Sequence, residues 1–244
     1  LVLSAILTGL AIIFASRCRT VSTGEAVPQS GVMKGMIEGL AYVYTHKTIA
    51  VFILLVAFHC ALVMSFESML PIFSRQSLGA TEVSYVTWLG LGFGAGSAVG
   101  VLILAGVSGE KMKGRLLLWA GVASGVAPIL LAVTGSIFPA TLVTALMGAS
   151  QATFMAITAA YVLTISPDRL RGRISSLYVL HAGGIMAFAN LGYGFLADVF
   201  SATLIFQITG GVFVVFVIGI STSQPLLRRV YRTGHLPAAV GANT

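Results

Sequence analysis

An all-α membrane protein with about seven transmembrane helices is the fold this sequence predicts, on three observations. Of its 244 residues, 57% are hydrophobic and only 9% are charged, whereas a water-soluble domain carries roughly 25% charged residues. The apolar residues gather into long runs, and the mean hydropathy is +0.98. Taken as alternating crossings, those runs put thirteen of the 14 lysines and arginines on one side.

A crossing needs about 20 mostly apolar residues, because the hydrocarbon core is roughly 30 Å thick and a helix rises about 1.5 Å per residue. The stretches that qualify or nearly do are Leu1–Ser16, Thr48–Phe73, Val83–Val107, Leu116–Thr134, Pro139–Ile165, Ile174–Ala197 and Ala202–Thr222. Lipid offers no partner to backbone polar groups, so the runs must be helices or strands of a closed barrel. They are too long and too uniformly apolar for barrel strands, which alternate and last about 10 residues.

The first run opens the chain without a basic segment or cleavage site, so it reads as the end of a helix and not as a signal peptide. Residues 17–47 read as a connecting loop. Thr20–Ser30 is a linker, followed by a short amphipathic helix on the membrane surface whose apolar stripe is Met33, Met36, Ile37, Leu40 and Tyr44. Residues 48–222 form a six-helix bundle, and residues 223–244 a tail.

Arg75 alone lies between crossings on the cation-poor side, which places the other side, with the C-terminus, in the cytoplasm. The charge of +7 therefore points to a membrane and not to nucleic acid. Connections such as Gly135–Phe138 and Asp198–Ser201 are so short that consecutive helices must be antiparallel neighbours.

Small residues recur at helical spacing. Gly92, Gly96 and Gly100 share one face of the third span, Gly148, Ala152, Ala156 and Ala160 one face of the fifth, and Gly121 and Gly125 lie on the fourth. Such faces let helices approach closely, whether for packing alone or for rearrangement.

Polar residues at membrane depth are the site candidates. Glu67 lies six residues before Phe73, about 9 Å inside the end of the second span. A carboxyl there is a candidate proton carrier or partner of a cationic substrate, or a structural group near the rim. His59 stripes with Phe52 and Phe66 on the same span, at an offset of roughly 80° from Glu67 that lets both border one cavity. Gln151, Thr153, Thr158, His181, Asn190 and Gln207 are substrate contacts or interhelical hydrogen-bonding groups.

No metal spacing or disulfide framework involves Cys18 or Cys60, and no cofactor is implied. The sequence also lacks GxSxG, HExxH and GxxxxGK[ST] motifs. An intramembrane rhomboid-like protease is an alternative, but Ser97 lies in Ala95-Gly96-Ser97-Ala98 without that family's glycines. A seven-helix receptor is another, but the last span holds no lysine for a retinal Schiff base.

Two connections carry a signature. The segment from Gly106 through Glu110, Lys111, Lys113 and Gly114 to Arg115 resembles the loop motif of the major facilitator superfamily, with its second glycine displaced by one place. The stretch Ser166-Pro167-Asp168-Arg169-Leu170-Arg171-Gly172-Arg173 is similar to a second loop of that superfamily. From Glu38 to Phe73 the chain resembles the start of the second half in its drug- and siderophore-exporting branch, enterobactin-exporter-like and macrolide-efflux-like.

The resemblance implies one half of a twelve-helix fold whose halves rock about a central site. Residues 1–16 would end the last helix of an N-terminal half that is missing here, and that half would be a partner. The implied activity is proton-coupled export of a small, partly apolar compound across a bacterial plasma membrane. The second and fifth spans would line the cavity with Glu67, His59, Phe66, Gln151, Thr158, His181 and Asn190 as substrate or proton candidates. The third and sixth would slide against the missing half. Gly106, Glu110, Lys111, Arg115, Asp168, Arg171, Gly172 and Arg173 would form cytoplasmic gates, with Glu110 pairing with Arg171 or Arg173 in the closed state.

Overall fold

The computed structural model describes residues 32–79 and 84–235, with residues 9, 12–14, 16 and 17. The chain divides into Leu1–Ser30 and Gly31–Thr244. The expected first span lies almost wholly outside the described residues, as do the linker, the side chains of Met33 and Met36, and the end of the tail.

A short helix, α1 (Val32–Thr45), precedes the bundle. Gly39 and Val43 face inward, and a Cβ built on Gly39 would meet Arg173 and Leu177 at 3.3 Å. Ile37, Leu40 and Tyr44 stay exposed, so the apolar stripe read from the sequence is the side turned away from the bundle.

Six segments of the described residues are long and apolar enough to cross a membrane. The first is α2 (Lys47–Leu62), a 3-10 stretch (Met64–Met69) and α3 (Leu70–Leu78) in succession. The others are α4 (Ser84–Ala105), α5 (Glu110–Ala132), α6 (Ile137–Ile165), α7 (Arg171–Ala197) and α8 (Ala202–Ser223). They agree with the expected spans, except that α5 and α7 start earlier. Glu110–Arg115 and Arg171–Arg173 are therefore first turns of helices and not loop.

Glycine sets the closest contacts. A Cβ on Gly92, Gly96 or Gly100 of α4 would lie 2.5, 1.8 or 2.4 Å from a carbonyl oxygen of α6, and one on Gly148 would lie 1.9 Å from that of Phe93. Gly125 of α5 and Gly210 of α8 face each other in the same way, at 2.5 Å between a Gly210 Cβ and the Gly125 carbonyl. The resemblance assigned the glycine-rich third span to sliding against a missing half. Instead, its Gly92–Gly96–Gly100 face is consumed by α6 inside this bundle, because bare backbone packs best on another small-residue face.

The core has two clusters. One, built on Phe52, Leu55, Leu117, Phe154 and Val217, fills the cation-rich half; the other, on Phe66, Phe73, Leu131, Met147 and Phe206, fills the opposite half.

The expected tail holds a further helix, α9 (Pro225–Thr233). Proline at its start and Gly234 in left-handed conformation (φ 74) at its end are favoured stop signals. Leu227, Val230 and Tyr231 are buried against the bundle while Arg228, Arg229 and Arg232 face out.

Candidate functional site

The site begins at a defect. Between α2 and α3 the helix tightens into a 3-10 stretch centred on Phe66 and Glu67. Pro71 explains it, since a proline has no N–H and its ring clashes with the carbonyl four residues back, which here belongs to Glu67. That carbonyl takes the Leu70 N–H instead.

At membrane depth the carbonyls freed by such a break need other donors. The Ser65 hydroxyl donates to the Cys60 carbonyl at 2.9 Å. Tyr193 of α7 donates to the carbonyls of Ala61 at 2.8 Å and Leu62 at 3.2 Å. The break is thus held from two sides.

Glu67 sits on this stretch, exposed beside the exposed Ser68, while its neighbour Phe66 is buried against Phe93 at 5.2 Å. The helix continues to Leu78, so Glu67 lies deeper than its distance from Phe73 indicated. It has no hydrogen-bond or ion-pair partner among the described residues.

His59 does not share a cavity with it. The imidazole is fully buried between Phe154 (4.6 Å) and Phe213 (5.2 Å), and neither ring nitrogen has a partner. Gln151 is buried one helical turn from Phe154 with its whole amide unpartnered, and Asn190 Oδ1 is unpartnered too. Thr158 hydrogen-bonds the Phe154 carbonyl at 2.8 Å and the Tyr178 hydroxyl at 3.1 Å. Gln151, Phe154, Thr158 and Tyr161 make one inward stripe of α6, with Phe52 stacked on Tyr161 at 5.5 Å. His181 is paired, its Nε2 with the Tyr44 hydroxyl at 2.9 Å and its Nδ1 with the Leu177 carbonyl at 2.7 Å. Thr153 is buried and Gln207 exposed.

The candidate gates are held locally. Glu110 pairs with Lys113 at 2.8 Å and Asp168 with Arg171 at 2.7 Å, each three residues apart. Arg173 reaches Glu38 of α1 at 2.6 Å. The expected pairing of Glu110 with Arg171 or Arg173 is absent here, because one helical turn already brings each a partner. Lys111 and Arg115 are exposed, and Gly106 ends α4 by donating to the carbonyls of Leu102 and Ile103. Gly172 stands open, with nothing near a Cβ position.

Gly114, the displaced glycine of the motif, lies under α9: a Cβ there would sit 2.1 Å from the Val230 carbonyl. Beyond it the Tyr161 hydroxyl donates to the Gly234 carbonyl at 3.2 Å. Six apolar crossings, one broken beside a lone carboxyl, are the geometry of a solute pathway and not of a hydrolytic centre.

A family model described as transmembrane secretion effector, of the major facilitator type, matches residues 2–231. The chain belongs to that family. It is a multi-pass membrane protein of a transporter family. No curated protein and no solved structure matches it.

In this major facilitator chain the break, its Tyr193 clasp and the docked α9 went unread in the sequence. Pro71 inside an apolar run is the signal for the first. The strong amphipathic pattern of Leu227, Val230 and Tyr231 against three arginines is the signal for the last.

Proposed function

We propose that this chain is the C-terminal half of a secondary active exporter that works by alternating access and couples to protons through Glu67. The carrying observation is the exposed, unpartnered Glu67 on the broken segment of the first described crossing. An ionisable group at membrane depth is costly and persists where it serves a pathway. A 3-10 stretch beside a proline is also a natural hinge.

The cargo is a small, partly apolar compound, in keeping with the apolar and aromatic surroundings. Thr48–Thr222 are the seventh to twelfth helices of the complete transporter, and residues 17–47 its central loop. The cation-rich end and the C-terminus face the cytoplasm of a bacterial cell, as the placement of lysine and arginine supports. His59, Gln151 and Asn190 carry unpartnered polar atoms and are the groups to acquire water or new partners when the bundle rearranges.

The test is Glu67→Gln in the full-length protein, reconstituted in proteoliposomes with an imposed pH gradient. Gradient-driven transport should be lost while membrane insertion and substrate binding persist. Transport with an unaltered pH dependence in the variant would remove Glu67 from the mechanism.

A further inference from the structure

The helices α4 and α5 are consecutive, yet each packs on α6 more than on the other. Between them runs a groove floored by α6. Near the cation-rich end it opens into a cavity of about 370 Å³, lined by Leu104, Ala156, Ile157 and Ala160 with Glu110 and Lys113 at its mouth. Next in line along α6 is a second cavity of about 230 Å³, walled by Ile103, Leu116, Trp119, Ala123 and Ala149. Ala149, Thr153, Ala156 and Ala160 recur at helical spacing, so both cavities lie along one face of α6.

The hydroxyls on this floor are turned onto their own helix. Ser150 donates to the Leu146 carbonyl at 2.8 Å and Thr164 to the Ala160 carbonyl at 2.8 Å. The groove is therefore apolar along its length and charged only at one end. Lys111, Arg115 and Trp119, all exposed, follow each other at four-residue spacing along the outer edge of α5. Cations followed inward by a tryptophan are the arrangement that anchors at a bilayer interface.

From this we infer that the groove binds one bilayer phospholipid with an anionic headgroup. Its phosphate sits at Lys111 and Arg115, and an acyl chain runs past Trp119 along the alanine floor. The polarity gradient of the groove matches that of the molecule, end for end.

A helix of another chain segment is the competing occupant, and α4 argues against it. The glycines of α4 left open for close helix approach are Gly90 and Gly94, with nothing within 4 Å of a Cβ position. Nine residues separate Gly94 from Ile103, about two and a half turns, so the two point to opposite sides of α4. The face prepared for a helix is turned away from the groove. The inference rests on membrane insertion alone and is independent of Glu67 and of any transport reaction.

The test uses the full-length protein in vesicles of phosphatidylcholine and phosphatidylglycerol carrying a phosphatidylglycerol probe with a photoactivatable acyl chain. Adducts are mapped by mass spectrometry on the wild type first. They should be several-fold denser on residues 116–123 and 149–160 than on the exposed Val212 and Val215 of α8. Equal density on both faces would mean ordinary boundary lipid, and no adducts in the groove would mean that a protein segment fills it; either overturns the proposal. Ala156→Leu with Ala160→Leu should abolish the excess by filling the floor. Lys111→Glu with Arg115→Glu should reduce it several-fold without altering the α8 signal.

Discussion

The hydroxyl of Tyr193 on α7 shares its proton between the carbonyls of Ala61 and Leu62, at 2.8 and 3.2 Å, where the first crossing loses its regular helix. A broken helix inside a bilayer is stable only when the released backbone groups are satisfied from elsewhere. Here a residue some 130 positions away in sequence supplies the donor.

Tyr193→Phe tests this directly. The ring and its packing remain, but both carbonyls lose their donor. The expected loss is about 1–2 kcal/mol of stability, read as a lower unfolding midpoint in detergent. An unchanged midpoint would show that the break needs no clasp.

The contact between α4 and α6 predicts a contrast between two glycines of one helix. Gly96→Ala drives a Cβ to 1.8 Å from the Ala145 carbonyl, which only a backbone shift relieves. It should cost about 1–3 kcal/mol or more and lower the yield of folded protein. Gly94→Ala meets nothing within 4 Å and should leave the melting temperature unchanged or raise it slightly, since alanine favours the helix.

The seat of α9 on Gly114 predicts that this helix can be released without unfolding the bundle. Gly114→Val collides with the Val230 carbonyl and should expose Arg228, Arg229 and Arg232 to trypsin, with cleavage several-fold faster than in the wild type. Gly135→Val, where a Cβ meets nothing within 4 Å, is the control and should leave cleavage unchanged.

The same seat has a pH dependence. Burial pushes the Tyr231 hydroxyl above the ordinary tyrosine range, with Ser221 acting in the opposite direction. A group whose value is raised by folding contributes stability below its unfolded value of about 10 and loses it as pH climbs through the folded one. Wild-type melting temperatures should therefore fall relative to Tyr231→Phe above about pH 10 and run parallel to it below. Parallel curves throughout would mean that Tyr231 ionises as freely folded as unfolded.

Much of the fold was legible. The six described crossings begin and end within a few residues of the apolar runs, apart from the helical starts at Glu110 and Arg171 and the continuation to Leu78. The candidate site was less so. Glu67 stood out by charge, but pairing it with His59 across one cavity failed, because spans that are apolar all round carry no periodicity to say which side faces inward. The likeness of Gly106–Arg115 to a gating motif was visible, whereas its displaced glycine acquires a reason only from α9.

The sequence by itself determined that the chain lives in a bilayer, how many described helices cross it and which end carries the cations. Those properties are sums along the chain, since transfer of apolar length into lipid does not depend on how helices meet. The tertiary structure alone decided that Gly92, Gly96 and Gly100 belong to α6, that Tyr193 repairs the break made by Pro71, and that α9 closes over Gly114. Each of these needs two distant segments in register, and close approach of bare backbone is a property of the pair that neither helix states alone.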